Sequence, residues 1–249
     1  MDPALIYIAP LFLVTALIYA MIGQGGASAY LAILALFNLQ YKDIPPIALA
    51  CNIVATIGIA YHFVRAGHLK IRLVLPFVIT SVPAAFLGGT LDLPENFFKV
   101  LLICTLVIVA IRMFFWKRPK GEISHPSIKK AFIVGPLIGI FLGLLAGTIG
   151  IGGGVLLMPL IIILKWGKVK EAALAGGLFT LVNSVSGLIG HGTKESFDLQ
   201  LLIPLVLVVF VGSQIGAHLG AKKISSGAVQ KIFAVLLFSV AVRLLVGFI

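Results

Sequence analysis

Two glycine clusters stand out as residues whose type and spacing could do chemistry. They are Gly23-Gln24-Gly25-Gly26-Ala27 and, 127 residues further on, Gly150-Ile151-Gly152-Gly153-Gly154. Each follows directly on an apolar run of membrane length. A glycine cluster interrupts a helix, and inside lipid an interruption is tolerated only where protein or a water-filled cavity satisfies the freed backbone groups. A short helix is expected to restart after each break, near Ala27 and near Val155, with its first N–H groups and positive dipole end facing the gap. Such an end favours anions. A missing Cβ also lets a ligand approach the backbone, where successive N–H groups form an anion-binding concavity. Gln24, Ser28 and Thr148 stand beside the breaks and can add neutral donors. The plain alternative is that glycine only permits close helix packing. Recurrence of the cluster at corresponding positions favours a site built from Gly23, Gln24, Gly25, Gly26 and Ser28 on one side and Thr148, Gly150, Gly152, Gly153 and Gly154 on the other.

Further polar residues fall inside apolar runs. Asn52 and Thr56 lie one helical turn apart after the first cluster, and Asn183, Ser184 and Ser186 occupy the corresponding run after the second. They contact substrate or hydrogen-bond between helices, the latter worth on average ~0.6 kcal/mol in membrane proteins. Gln214, flanked by Gly212 and Gly216, is an amide that must find a partner in an apolar setting, and is a candidate pore-facing donor to substrate. His62 and His191 occupy equivalent positions near opposite membrane faces. They titrate near neutral pH and are candidates for gating or proton coupling, against the plainer role of interfacial histidines bonded to loops. Arg112 and Arg243 are paired in the same way; buried, they would attract an anion, and otherwise they snorkel to the interface. No carboxylate falls inside an apolar run, since Asp2, Asp43, Asp92, Glu95, Glu122, Glu171, Glu195 and Asp198 sit between runs or near a terminus. That disfavours cation transport and a proton relay of Asp or Glu. The two cysteines, Cys51 and Cys104, lie in apolar stretches without C-x-x-C spacing, which signals no disulfide framework and no metal site. No metal and no cofactor are called for.

The elements that must position these residues follow from composition. Of 249 residues 60% are hydrophobic and 11% charged, with a mean hydropathy of +1.16, more apolar surface than a soluble domain can bury. Apolar runs of membrane length recur throughout, as a ~30 Å hydrocarbon core demands at 1.5 Å per residue. The chain reads as an all-α, polytopic transmembrane bundle. Met1-Asp2-Pro3 carries no positive charge and no small-residue cleavage site precedes Gly23, so the first run is expected to stay as a helix. A broken unit at about 5–40 is followed by spans near 44–64, 71–91 and 96–116; a second broken unit at about 128–165 is followed by spans near 170–190, 199–220 and 227–248. His62 answers to His191, Pro76 to Pro204, Gly88 to Gly216 and Arg112 to Arg243. The chain is therefore two repeats, 1–116 and 128–249, joined by a polar linker, 117–127.

Loop charge orients the halves, because cytoplasmic loops collect Lys and Arg. Fifteen of the nineteen basic residues lie in four segments: Arg65 to Arg72, Arg112 to Lys130, Lys165 to Lys170, and Lys222 to Lys231. The other loops and both termini hold four basic and six acidic residues and are placed outside. The spans of the second half then run opposite to those of the first, so each broken unit must start and end on one side, as a hairpin or re-entrant element. Both termini are expected outside. The net charge of +11 needs no nucleic-acid partner; a basic cytoplasmic face against anionic lipid accounts for it. Inverted repeats with broken helices at their interface are an architecture of secondary transporters.

The stretch Gly147-Thr148-Ile149-Gly150-Ile151-Gly152-Gly153-Gly154-Val155-Leu156-Leu157-Met158-Pro159, its partner around Gly23 to Ala27, the duplicated layout and the length resemble the TauE/SafE family of sulfite and organosulfonate exporters. The first cluster departs from that pattern, with Ala27 where a third glycine is usual and Ala32 opposite Pro159. The resemblance implies a plasma-membrane permease for small sulfur-containing or related organic anions, often moving outward. No enzymatic activity is implied. Two other classes stay open on the residues alone: an anion channel using the same groups, and a sulfur carrier using Cys51 or Cys104 as a nucleophile. The second lacks an activating partner in sequence.

Overall fold

The computed structural model describes residues 3–65, 67, 69–115, 128–193, 198–222 and 227–246. The linker 117–127, and with it Lys117, Arg118, Lys120 and Glu122, lies outside the described residues, as do Asp2, Lys194, Glu195 and Lys223. Among the described residues all regular structure is helical: α1 Pro3–Met21, α2 Ala27–Leu36, α3 Ile44–Arg65, α4 Ile71–Thr90, α5 Glu95–Phe114, α6 Ile128–Ile149, α7 Gly154–Ile163, α8 Val169–Gly192, α9 Leu199–Lys222 and α10 Gly227–Val246. Six helices, α3, α4, α5, α6, α8 and α9, are long and apolar enough to cross a membrane, and α2 and α7, at ten residues each, are too short. The bundle turns large apolar side chains outward, among them Ile6, Phe97, Ile133, Leu137 and Leu207, as lipid in place of water allows.

Packing is set by small residues. On α6, glycines recur every fourth position, at 135, 139, 143 and 147. A Cβ on Gly139, Gly143 or Gly147 would run into the carbonyl oxygens of Phe77, Ser81 and Ala85 on α4 in turn. The same device joins α9 to α1, where Gly212, Gly216 and Gly220 lie against the carbonyls of Leu13, Leu17 and Met21. With no hydrophobic drive between helices in lipid, such backbone approach is how spans associate.

These registers also fix direction. Residue numbers rise together in α1 against α9 and in α4 against α6. They do so in α3 against α9, where Gly58 meets Gln214 and His62 meets His218, and in α4 against α8, where Val82 meets Ser186 and Phe86 meets Gly190. Between α3 and α8 they run oppositely: Leu49 faces Gly187 and Ile59 faces Gly177. So α1, α3 and α9 point one way and α4, α6 and α8 the other.

Both glycine clusters are helix breaks. Gly23 and Gly26 have φ of 77° and 91°, and Gly150, Gly152 and Gly153 have 82°, 72° and 77°, a region that L side chains occupy at a cost. The helices after the breaks start, and end, 127 residues apart. α1 does not stop at mid-depth. It continues to Met21, level with Gly220 near the far end of α9, and residues 22–26 carry the chain back beside Ile59, Thr56 and Asn52 before α2 begins. Likewise α6 runs on until Gly150 meets Pro45 at the head of α3, and the next residues return to Asn52 and Ser184.

Candidate functional site

The returning segments deliver the two breaks to one place, the middle of the antiparallel α3–α8 pair. A Cβ placed on Gly25 would stand 2.5 Å from Asn52 Oδ1 and 3.1 Å from Thr56 Cγ2. One placed on Gly152 would stand 2.6 Å from Thr180 Cγ2, 2.8 Å from Asn52 Nδ2 and 3.1 Å from Ser184 Oγ. The Asn52 amide therefore lies between the breaks, its oxygen toward the first and its nitrogen toward the second. Gln24, in the first break, reaches across to the second half and donates from Nε2 to Met158 Sδ on α7 at 3.4 Å.

Hydrogen-bond accounting sets this region apart. Asn52, Asn183 and Ser184 are fully buried and Gln24 is 5% exposed, yet among the described residues Gln24 Oε1, Asn52 Oδ1 and Nδ2, Asn183 Oδ1, Ser184 Oγ and Tyr30 Oη have no hydrogen-bond partner. An unsatisfied buried polar atom costs about 1–3 kcal/mol, and native structures carry few. Two of these atoms have a settled identity. Asn183 donates from Nδ2 to the Phe179 carbonyl at 2.8 Å, and the Gln24 NH₂ is the group facing sulfur, so Asn183 Oδ1 and Gln24 Oε1 are both acceptors. On the donor side, the N–H groups of Ala27 and Ser28 at the start of α2 bond to no backbone carbonyl among the described residues. At the start of α7 the Gly154 N–H donates to Thr180 Oγ1 at 3.0 Å.

The structure divides the residues singled out in the sequence. Gly25, Gly152, Asn52 and Thr56 come together with the starts of α2 and α7; Thr56 itself bonds back to the Asn52 carbonyl at 2.6 Å. Ser28 shares a 3.3 Å contact with the Tyr19 hydroxyl, and Arg112 lies within electrostatic reach of that hydroxyl, half-buried near the end of α5. Thr148 and Ser186 turn away: Thr148 donates to its own helix at Leu144 O, 2.9 Å, and Ser186 to Val82 O on α4, 2.6 Å. Gln214 sits against Gly58 of α3, one to two turns from Asn52. His191 places Nε2 2.9 Å from the Gly147 carbonyl, just ahead of the second break. Arg243 is exposed at the end of α10, away from the breaks. His62 packs its ring on His218 at 5.3 Å, a neighbour that has no counterpart in the matched positions.

Sequence reasoning missed Thr180 and set aside Ser184. Both were within reach: the spacing of the breaks, increased by one, carries Asn52 to Thr180 and Thr56 to Ser184. The departure at Ala27 is also explained. A Cβ on Gly154 would collide with the Gly176 carbonyl and with Thr180 Oγ1, so α7 needs glycine where α2 accepts alanine. Cys51 is buried and Cys104 exposed on the outer surface.

The family described as "Sulfite exporter TauE/SafE" matches residues 8–244. A protein of Sinorhizobium fredii (strain NBRC 101917 / NGR234) described as "Probable membrane transporter protein y4hK" is 36% identical over 251 residues, covering 98% of this chain and all of the relative. "Probable membrane transporter protein YdhB" of Bacillus subtilis (strain 168) is 26% identical, covering 83% of this chain and 84% of its own length. A "Probable membrane transporter protein" of Xylella fastidiosa (strain 9a5c) is 22% identical, covering 88% and 87%. With a break-to-break architecture and a family match over nearly its whole length, this chain belongs to the sulfite exporter TauE/SafE family and is an integral membrane transporter.

Proposed function

We propose that the chain is a secondary transporter of small sulfur-containing anions, sulfite or organosulfonates, held between the two glycine breaks and moved by alternating access. The observation that carries this reading is the cluster of buried polar atoms without partners where both breaks meet α3 and α8. Break glycines leave room for a ligand at the backbone, the helix starts supply N–H groups and dipole, and Asn52 Nδ2 and Ser184 Oγ add neutral donors. Gln24 Oε1 and Asn183 Oδ1 ask in turn for a donor on the ligand. An oxyanion that keeps a proton, or a sulfonate bearing hydroxyl or ammonium, meets both demands; a fully deprotonated dianion meets only one.

The chain is organised as two inverted repeats, 1–116 and 128–249, a reading supported by the opposed directions of α3 and α8 and by helix starts 127 residues apart. The positive-inside rule puts the basic loops in the cytoplasm and both termini outside. An inside-negative potential then drives a monoanion outward with ~2.3 kcal/mol per 100 mV, which favours export. The test is uptake into proteoliposomes of labelled sulfite, taurine, sulfoacetate and sulfate, with and without imposed voltage or pH gradients, for the parent and Ser184→Ala. Saturable, voltage-sensitive movement of a donor-bearing anion, weakened in the variant, is expected. Movement of none by inserted protein, or of sulfate in preference, overturns the substrate assignment.

A further inference from the structure

A second polar feature lies far from the breaks. Where α2 ends, α3 begins, α5 begins and α10 ends, the helices enclose a half-open cavity of about 750 Å³, within the usual size of small-molecule sites. Its walls are mostly apolar, from Leu36, Phe98, Leu102, Val240 and Leu244, with Asn38, Gln40 and Tyr41 among them, and its cations are Lys42, Lys99 and Arg243. This membrane face is the acidic one by sequence. With the termini it holds four basic residues, Lys42, Lys99, Lys194 and Arg243, against six carboxylates, yet three of the four cations line this one cavity. Among the described residues Glu95 is the single carboxylate lining it, and Glu95 is engaged with Lys99 at 2.7 Å. By formal charge the described lining holds three cations to one carboxylate, on a face that is acidic by sequence. Further along the same two helices, away from the cavity mouth, the outward residues are apolar, Ile108 and Ile111 on α5 and Val235 and Phe238 on α10, a surface along which an alkyl chain can lie.

We infer that this cavity is a second anion site, selective for an amphiphile: an acidic headgroup between Lys42, Lys99 and Arg243, with an alkyl chain descending along α5 and α10. The headgroup level of a bilayer supplies such a molecule as an anionic phospholipid, which cations at that level attract. The site is independent of the central one. Ten-residue α2 runs between them, ~15 Å at 1.5 Å per residue, with its first turn at the glycine break and its last at the cavity.

The test is the thermal stability of the purified full-length chain in neutral detergent, titrated with dihexanoyl phosphatidylglycerol, dihexanoyl phosphatidylcholine or inorganic phosphate. The three are compared in the parent and in a Lys42→Gln, Lys99→Gln, Arg243→Gln variant. All three side chains lie on the cavity rim rather than in the core, and the variant's unliganded melting point reports its folding. Saturable stabilisation by phosphatidylglycerol, absent with phosphatidylcholine and at least tenfold weaker in the variant, is expected. Equal shifts from the two lipids, or a shift that survives in the variant, overturns the headgroup contact. The same saturating shift from inorganic phosphate overturns the amphiphile in favour of a simple ion. Were the variant to melt well below the parent, Leu244→Glu would decide the question: it sets a carboxylate against the headgroup and must also weaken phosphatidylglycerol at least tenfold, and unchanged binding overturns the site.

Discussion

Replacing Asn52 with leucine should make the protein more stable and a much poorer transporter. Asn52 is fully buried, and both of its amide atoms lack a hydrogen-bond partner. At about 1–3 kcal/mol for each unsatisfied group, this one side chain costs the fold about 2 kcal/mol or more. Leucine has nearly the same shape, and its methyl groups fall against Gly25 and Gly152, which have no side chains to displace. Removing both polar atoms recovers that energy, and at about 2–4 °C per kcal/mol for a chain of this length the melting temperature should rise by roughly 4–8 °C. Transport should fall. A hydrogen bond to a charged ligand is worth about 1.5–3 kcal/mol, so at 1.4 kcal/mol per factor of ten the loss is about ten- to hundredfold. Thermal unfolding in detergent gives the first quantity and proteoliposome uptake the second. A variant that transports like the parent, or that is less stable, refutes a ligand-binding role for the amide, which would then be holding the fold.

Two other outcomes follow from the packing and the charge pattern. Gly143→Leu should cost stability at or beyond the upper end of the ~1–3 kcal/mol of ordinary overpacking, because its Cβ would stand 2.6 Å from Ser81 Cα and 2.9 Å from its carbonyl carbon, backbone that cannot step aside; size-exclusion of detergent extracts should show loss of the monodisperse peak, and a parent-like peak contradicts the seam. A C-terminal alkaline phosphatase fusion should be active and a C-terminal green fluorescent protein fusion dark; the reverse pair of readings overturns the assignment of both termini to the outer face.

Much of this architecture is legible in the sequence because lipid imposes strict terms. A span needs a certain length of apolar residues, so the ends of α3, α4 and α9 fall within two residues of the apolar runs. A break in lipid needs glycine, so both breaks are visible as clusters. Depth is not legible, since the apolar arm before each break reads as too long for a site at mid-membrane, and the resolution lies in residues 22–26 doubling back, which only positive φ at Gly23 and Gly26 permits. Side-chain direction is not legible either. Thr148 and Ser186 sit in the right segments, but a hydroxyl on a helix satisfies itself on a carbonyl of its own or an adjoining helix, and sequence does not say which side it turns to. The His62–His218 pair joins α3 to α9 and so crosses between halves, where matching one half onto the other has no means of finding it.

The glycine seams have a mechanical consequence. Each ties a helix of one half to a helix of the other, α1 to α9 and α6 to α4, with carbonyl oxygens pressed into spaces that only glycine leaves. A sequence half sliding past the other would tear both seams at once. The glycine seams and shared direction group the helices instead as α1 with α3 and α9, and α4 with α6 and α8. The two groups meet along the α3–α8 line where Asn52, Ser184, Thr56 and Thr180 lie. The direction of the helices thus divides the bundle along a different plane from the sequence, and the polar line lies on that plane.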